Sequence, residues 1–374
     1  MKPSLLFYVQ HLLGIGHVYR ARRLCDALHE AGFDLTLVTG GLPVKILSHT
    51  PFRVVQLPPL RTSGTDFAGL VDENGKPADE EYLARRRDEL LELAKTIGPD
   101  IVITEAYPFG RRQVRHELKP LARHLKDQGG SKLLCSIRDI LQENRKPGRD
   151  TETVELLNTF YDGVLVHGDP RIAKLADTFP RAADISIPVY QTGMVAPPAQ
   201  TPLPRSDEVL VSAGGGVVGE TLLSAAAVAA RDERLSHLNF VLSTGPNLPA
   251  EARERLHALL PANAGTVPFI DNLPQRLAGC ALSVSQAGYN TVADILVAGA
   301  KSVLVPFATD GETEQTVRAT ALARLGRAVH LPETGLTPQR LADAMVRALS
   351  RNPAEIEIDL NGARNTAGIL KNLM

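Results

Sequence analysis

The sequence predicts an α/β protein built from two Rossmann-like, doubly wound domains that face each other across a cleft. Short continuous apolar runs alternate with amphipathic stretches along the chain, the pattern of parallel strands covered on both faces by crossover helices. That alternation lapses once, where Pro188, Pro197, Pro198, Pro202 and Pro204 crowd together, and then restarts. The length, 374 residues, is about two and a half times the ~150 residues of a typical domain.

In chain order, apolar runs predict strands at 5–9, 35–39, 54–57, 101–104, 133–137 and 164–167, with helices at 18–31 and 79–97. The proline-rich stretch has a linker's composition. Beyond it, strands are expected at 209–212, 239–243, 266–269, 281–285 and 302–306, and helices from 220, at 251–260, from 290 and at 314–325. The expected organisation is a first domain over 1–190, a linker over 191–208, a second domain over 209–350, and a C-terminal helix within 351–374 that packs back on the first domain. Open α/β sheets bind ligands at the carboxyl ends of their strands, so the functional residues belong in the turns that follow the strands.

Composition excludes several classes. Lys and Arg number 41 against 42 Asp and Glu, a formal net charge of -1, with no basic excess in either half and no sign of a nucleic-acid partner. Cys25, Cys135 and Cys280 are more than a hundred residues apart, which argues against a zinc site or a disulfide framework and fits a reducing cytoplasm. The first residues read as a strand and not a signal peptide. No apolar run is long enough to span a membrane.

The turn after the first strand reads Gly14-Ile15-Gly16-His17-Val18-Tyr19-Arg20. Glycines there permit a tight turn and close approach of a ligand to the backbone, and a helix start presents unpaired N–H groups. As a dinucleotide fingerprint it fails, since Tyr19 or Arg20 occupies the third glycine position. His17 sits at the helix entrance, where a neutral imidazole can take a proton from a hydroxyl; the alternative is a capping or packing histidine. In the second half, Gly214, Gly215 and Gly216 open a loop that imitates a P-loop, but Glu220 stands where the phosphate-binding lysine would be. The glycines suit either backbone contact with a diphosphate or a ligand-free tight turn.

Three further segments follow in order: Phe269-Ile270-Asp271-Asn272-Leu273, then Ser285-Gln286-Ala287-Gly288-Tyr289-Asn290-Thr291-Val292-Ala293-Asp294, then Glu312-Thr313-Glu314-Gln315. Together they resemble the inverting glycosyltransferases of the GT-B fold, most closely glycosyltransferase family 28, whose best-known member makes lipid II. The resemblance covers about residues 209–330. It implies that Gly288, Asn290 and Thr291 hold a nucleotide's diphosphate and that Asp294 binds the ribose. It also implies that Glu314 and Gln315 hold the donor sugar, and that Phe269 and Ile270 lie beside the base. Within the superfamily the chain also resembles a bacterial group of predicted glycosyltransferases through residues 107–112, 137–140 and 167–170. It departs from the lipid II-forming enzymes at Arg318, where they have asparagine, and it lacks their serine after the paired glycines.

On the physical side, breaking a sugar–phosphate bond builds negative charge on the departing diphosphate, and a helix N-terminus aimed at it lowers the barrier. The Asp294 carboxylate suits two ribose hydroxyls; its ligand-free reading is a carboxylate stabilising the helix dipole. Arg111, Arg115, Lys119 and Arg123 are spaced by four and, with Arg112 and Lys126, form a basic stretch. Pro120 is expected to kink or end its helix. The stretch reads as a solvated face, or as a site for an acceptor's phosphate or carboxylate or for an anionic membrane surface.

These readings combine into an expectation: a cytoplasmic, metal-independent, inverting glycosyltransferase, with UDP-sugar as co-substrate and no other cofactor, and His17 as base. Acceptor-side candidates are Gly16, Glu105, Arg111, Arg112, Arg138 and Asp139. The partners expected are a nucleotide-sugar donor and a small-molecule, glycan or lipid-linked acceptor, with peripheral contact at the inner face of the membrane as an option. Rival readings are a nucleotide-sugar hydrolase or epimerase of the same fold, and a catalytically silent nucleotide-sugar-binding subunit.

Overall fold

The computed structural model describes residues 2–12, 14–62, 69–142, 146–201, 203–214, 219–245, 248–270, 273–308 and 311–374. The chain divides into two units. The first holds 1–170, 174–195 and 361–374, and the second holds 171–173 and 196–360.

The first unit begins β1 (Ser4–Val9), α1 (Gly16–Glu30), β2 (Asp34–Thr39), β3 (Arg53–Gln56) and a small antiparallel pair, β4 (Arg61–Thr62) and β5 (Leu70–Val71). It continues through α2 (Glu80–Ile97), β6 (Ile101–Glu105), α3 (Arg115–Gln128), β7 (Lys132–Arg138), α4 (Arg149–Phe160), β8 (Gly163–His167), α5 (Leu175–Thr178) and β9 (Val189–Gln191). The main sheet is parallel, in the order β3-β2-β1-β6-β7-β8-β9. Its central strands are buried along nearly their whole length, which is why they read as continuous apolar runs.

The second unit runs β10 (Glu208–Ser212), α6 (Glu220–Ala229), β11 (Asn239–Ser243), α7 (Ala250–Leu259), β12 (Ala264–Val267), α8 (Leu273–Gly279) and β13 (Leu282–Ser285). Then come α9 (Tyr289–Ala298), β14 (Ser302–Leu304), α10 (Glu314–Arg324), β15 (Val329–His330) and α11 (Pro338–Leu349). Its sheet, in the order β12-β11-β10-β13-β14-β15, is also parallel. Val211, Leu223, Leu242 and Val284 pack with Leu341 and Met345 of α11 in one buried cluster.

Several expectations are corrected. Gln191 is not linker but the last residue of the edge strand β9 of the first sheet, and the chain leaves the first unit after Val195. Residue 208 already belongs to β10. The C-terminal helix expected within 351–374 is α12 (Gly362–Asn372), which packs on α1 within the first unit. Gly362 is needed there, because a Cβ on it would lie 2.3 Å from the Gly193 carbonyl oxygen. Pro120 does not end its helix; α3 continues through it. Nor does Arg111 share that helix: it precedes it with φ 56, so the four-residue spacing from Arg111 has no common face. Arg115, Lys119, Arg123 and Lys126 are exposed, the solvated-face alternative.

Helices α2 and α3 are joined by an ion pair with no solvent exposure, Arg86 to Glu117. Arg86 donates from Nε and Nη2 to the two carboxylate oxygens at 2.9 and 2.8 Å, and also to Gln10 Oε1, the Gly40 carbonyl and the Pro58 carbonyl. Tyr8 donates its hydroxyl to Glu117. Burial alone raises the Glu117 carboxyl; the nearby His116, the charge of Arg86 and the hydrogen bonds from Arg86 and Tyr8 override it and hold it at about 2. This cluster ties β1, the turn after β2, α2 and α3 together.

Removing one partner strands a buried charge, so Arg86→Ala is expected to cost about 3–5 kcal/mol of unfolding free energy. Urea denaturation at neutral pH checks this, and a loss below about 1 kcal/mol would show that the cluster relaxes to admit water.

Candidate functional site

Each sheet has one place where its strand order reverses, and that crevice is where a doubly wound fold receives ligands. In the first sheet it lies between β1 and β6. The turn from β1 brings Gly16 and His17 to the start of α1, while β6 ends on Glu105. His17 Nδ1 lies 3.1 Å from Glu105 Oε1. The strand is one residue longer than the apolar run predicts, so Glu105 is paired in register with Ser136 of β7.

Glu105 has no solvent exposure and sits at the centre of a buried polar chain. Arg20, one turn along α1 from His17, forms an ion pair with it. Ser136 Oγ donates to Glu105 Oε2 at 2.6 Å. The serine's one hydroxyl hydrogen is engaged in that bond, so Ser136 Oγ must accept from His167 Nε2, 3.0 Å away. His167 Nδ1 is then the acceptor for the Thr192 hydroxyl at 2.8 Å. Asn365 of α12 in turn donates to the Thr192 carbonyl at 2.8 Å. The chain of bonds runs along the carboxyl ends of β6, β7, β8 and β9 and reaches the C-terminal helix.

The electrostatics follow from burial. Burial pushes the Glu105 carboxyl up, but Arg20, then His17 and Ser136, hold it well below the usual carboxylate range. Burial and then Arg111 push His17 down to about 3, with Arg20 acting the same way and Glu105 opposing. His167 is likewise driven down to about 3 by burial and Arg20. Both imidazoles are therefore neutral at physiological pH. An ionised Glu105 only accepts hydrogen bonds, so bonding to it keeps the His17 proton on Nδ1 and leaves the Nε2 lone pair as the basic position.

His17, whose side chain keeps 19% exposure, forms part of the wall of a cavity of about 260 Å³. Arg20, Arg111, Arg138 and Arg149 share that wall, and none of the described lining residues is acidic. Arg111 donates from Nε to the Gln10 carbonyl at 2.9 Å. The other two acceptor-side candidates go elsewhere. Arg112 is bound to Glu152 and to Thr153 Oγ1 of α4. Asp139 is wholly buried, accepts from the Ile140 N–H at 2.9 Å, and lies where a Cβ on Gly168 would be.

In the second sheet the reversal lies between β10 and β13. Gly214 follows β10 with φ 65, a conformation that costs glycine nothing, and Gly288 follows β13 as the N-cap of α9. The two turns adjoin: a Cβ on Gly214 would lie 3.6 Å from Gln286 Oε1. Gly215 and Gly216, singled out with Gly214, lie outside the described residues. Asn290 and Thr291 occupy the first turn of α9, whose leading N–H groups have no helical acceptor, and Asp294 lies within the helix at 7% exposure. Phe269 is 61% exposed beside a buried Ile270.

Glu314 and Gln315 begin α10, where the helix expected over 314–325 starts, with partners that sequence reasoning did not foresee. The Gln315 side-chain Oε1 accepts from the Ala287 and Phe307 N–H groups at 2.9 and 3.2 Å, pinning the turns after β13 and β14. Glu314 accepts from Arg318 Nη2 at 2.6 Å, and Arg318 Nη1 donates to the Ala287 carbonyl at 2.7 Å. The substituted Arg318 is thus a fully buried brace behind the Gly288 turn. Among the described residues no group of three or more His, Cys, Asp or Glu side chains is arranged to hold a metal ion.

Sequence reasoning left three members of the buried chain without a role: Ser136, His167 and Thr192. Their signal is a polar residue within, closing or following an otherwise apolar parallel strand, as in Leu133-Leu134-Cys135-Ser136-Ile137 and Val164-Leu165-Val166-His167.

Neutral burial of two histidines has a pH consequence. An unfolded histidine titrates near ~6.5, whereas folded His17 and His167 do so at about 3. Between those values the unfolded chain binds more protons, so stability is present above pH ~6.5 and is lost as pH falls toward 3. The maximal slope is about 1.4 kcal/mol per pH unit for each histidine. Urea denaturation at pH 7, 5.5 and 4.5 is expected to show this loss, and His167→Asn to flatten it by roughly half; an unflattened slope would assign the acid sensitivity to other groups.

Residues 209–368 match the model of the glycosyltransferase family 28 C-terminal domain. A UDP-N-acetylglucosamine--N-acetylmuramyl-(pentapeptide) pyrophosphoryl-undecaprenol N-acetylglucosamine transferase of Rhodospirillum centenum is 37% identical over 163 residues, 42% of each chain. The corresponding transferase of Methylibium petroleiphilum is 37% identical over 142 residues, 37% of each chain. The match thus spans about two fifths of the length of these relatives. Among solved structures, the glycotransferase of kitacinnamycin aligns over 100% of this chain and 99% of its own, with TM-score 0.68 and 16% identity. Acinetobacter baumannii MurG aligns over 99% and 100%, with TM-score 0.64 and 19% identity. The chain has the GT-B fold of these solved structures, and its residues 209–368 match the family 28 C-terminal domain model.

Proposed function

We propose that the protein is an inverting glycosyltransferase that moves a sugar from a nucleoside diphosphate, UDP, to a hydroxyl acceptor without a metal ion. What carries the reading is the family 28 match over residues 209–368, laid on the strand-order reversal that joins the Gly214 and Gly288 turns. The second unit binds the donor in this reading. The leading N–H groups of α9, with Asn290 and Thr291, receive the diphosphate, Asp294 receives the ribose hydroxyls, and Phe269 offers an apolar face to the base.

The first unit supplies the base. His17 Nε2 takes the proton of the acceptor hydroxyl while its Nδ1–H stays bonded to Glu105, whose negative charge stabilises the imidazolium as it forms. The acceptor oxygen attacks the sugar's anomeric carbon from the side opposite the diphosphate. The carbon–oxygen bond to the diphosphate breaks with its electron pair on the departing UDP, and configuration inverts in one displacement. The α9 dipole faces the charge that develops on the leaving group. Glu314 and Gln315 remain in the reading as the region of the donor sugar, with Gln315 acting through the turns it pins. Free buried Cys25 and Cys135 suit the cytoplasmic location we assign.

UDP is expected to raise the melting temperature more than NAD, ATP or GDP at equal concentration; equal or greater stabilisation by NAD would overturn the donor assignment. Asp294→Ala should weaken UDP binding by about 1–3 kcal/mol in calorimetry through the lost charge-assisted hydrogen bonds, and an unchanged affinity would leave Asp294 a structural carboxylate.

His17→Ala should lower turnover by roughly 10² to 10⁴ while UDP affinity stays within about twofold. Near-normal turnover in the variant would take His17 out of the chemistry.

A further inference from the structure

The bond that keeps the His17 proton on Nδ1 ends on one oxygen of Glu105, and something must aim that oxygen. Oε1 meets His17 Nδ1 at 3.1 Å and Arg20 Nη2, whereas Oε2 receives the Ser136 hydroxyl at 2.6 Å. The terminal torsion of a glutamate is broad, so covalent geometry does not set where Oε1 points. Arg20 reaches it on a long side chain. Ser136 reaches Oε2 on a short one, from a strand position in register with Glu105 itself, and so fixes the carboxylate plane more closely.

Ser136 is held in turn from its far side. Its Oγ has three staggered positions open to it, and His167 Nε2, 3.0 Å away, selects one. The imidazole is fully buried, yet neither partner needs it to be satisfied. Ser136 has the carboxylate, and Thr192 Oγ1 lies 3.0 and 3.3 Å from the Gly193 and Val166 carbonyl oxygens. Burying an imidazole costs its hydration, a cost that a leucine at 167 would avoid. What the imidazole adds is direction: it accepts from Thr192 at Nδ1 and donates from Nε2, so every bond in the row points toward Glu105. Hydrogen bonds in such a row polarise one another.

We propose that Ser136 and His167 are positioning residues for His17: by locking Glu105 Oε2 they aim Oε1 at Nδ1, hold the His17 proton there and leave Nε2 as the basic nitrogen. Both act through Glu105, and neither lines the cavity beside His17. The importance of this for transfer rests on His17 being the base; the tautomer is a property of the protein alone. The charged groups facing His17 are Glu105 from β6, Arg20 from its own helix and Arg111 from the turn before α3, and Arg20 and Glu105 also face His167. Both rings are neutral at physiological pH, so the row decides which nitrogen of His17 carries the proton and not whether a second one binds.

The experiment is long-range proton–nitrogen correlation NMR at neutral pH on the full chain, its histidines enriched in the heavy nitrogen isotope and His17 assigned by the signals that His17→Gln removes. Wild-type His17 is expected to be protonated at Nδ1. Ser136→Ala should reduce that form to about half or less, because the bond that selects the tautomer loses its fixed acceptor. His167→Leu should reduce it less, and His167→Gln, whose amide N–H can reach the serine, should restore most of it. A purely structural role would lower the melting temperature of these variants and leave the His17 nitrogens as in the wild type. Unchanged His17 nitrogens in folded Ser136→Ala and His167→Leu overturn the proposal, and so does a wild-type His17 protonated at Nε2. If Ser136→Ala does not fold, Ser136→Cys, whose thiol is a weak donor, is expected to move the tautomer in the same direction. Near-normal turnover in His17→Ala would instead overturn the base reading and leave the tautomer to judge the row.

Discussion

A single carboxylate organises the first unit's carboxyl-terminal edge. Glu105 is buried without exposure at the end of a strand of the first sheet's interior, where an isolated charge would cost several kcal/mol. It survives there because Arg20, Ser136 and His17 all approach it from elements distant in sequence. The first helix must therefore start where Arg20 reaches the strand end, which fixes His17 as well. Directionality then passes outward: the serine's proton goes to Glu105, so His167 must donate from Nε2 and accept at Nδ1. One ionised group thus sets two tautomers and ties the last helix, through Asn365 and Thr192, to the same edge.

The second unit reaches a comparable end by different means. Among the described residues, backbone groups of the turns after β13 and β14 are fixed from outside. Gln315 holds the Ala287 and Phe307 amides and Arg318 holds the Ala287 carbonyl, so the turn before α9 is set by side chains of α10. A helix start that is to receive a diphosphate must keep its own N–H groups available, and fixing the preceding residue from behind does that.

Much of the fold was legible because parallel strands buried on both faces announce themselves as apolar runs, and the glycine turns mark where two of them end. The boundaries failed where local chemistry was overruled by the sheet. Gln191 looks like the start of the linker beside so many prolines, yet β8 offers it an edge to pair with. Pro120 looks like a helix breaker, yet α3 continues through it, its apolar residues Leu118, Leu121, Ala122 and Leu125 packed in the core. The candidate site was half legible. His17 and the Gly288 turn stand in short motifs, whereas the bond from His17 to Glu105 joins residues 88 apart, and no spacing rule reaches that far. His167 lay in a segment already noted, but its part depends on a serine from the neighbouring strand.

Arg112 and Arg318 show why residue type alone misleads at such sites. Next to Arg111 in sequence, Arg112 reads as an equal partner in anion binding, yet its guanidinium is spent on Glu152 and Thr153. The difference is backbone geometry. The left-handed turn at Arg111 sends its side chain to the cavity and the Gln10 carbonyl, and the next residue, in a single 3-10 turn, faces α4. Arg318 reads as a change in the donor-sugar region, yet it is fully buried and engages Glu314 and a backbone carbonyl. Its guanidinium therefore bears on any bound sugar through the position of the Gly288 turn and the orientation of Glu314, and a substitution there changes the frame of the site.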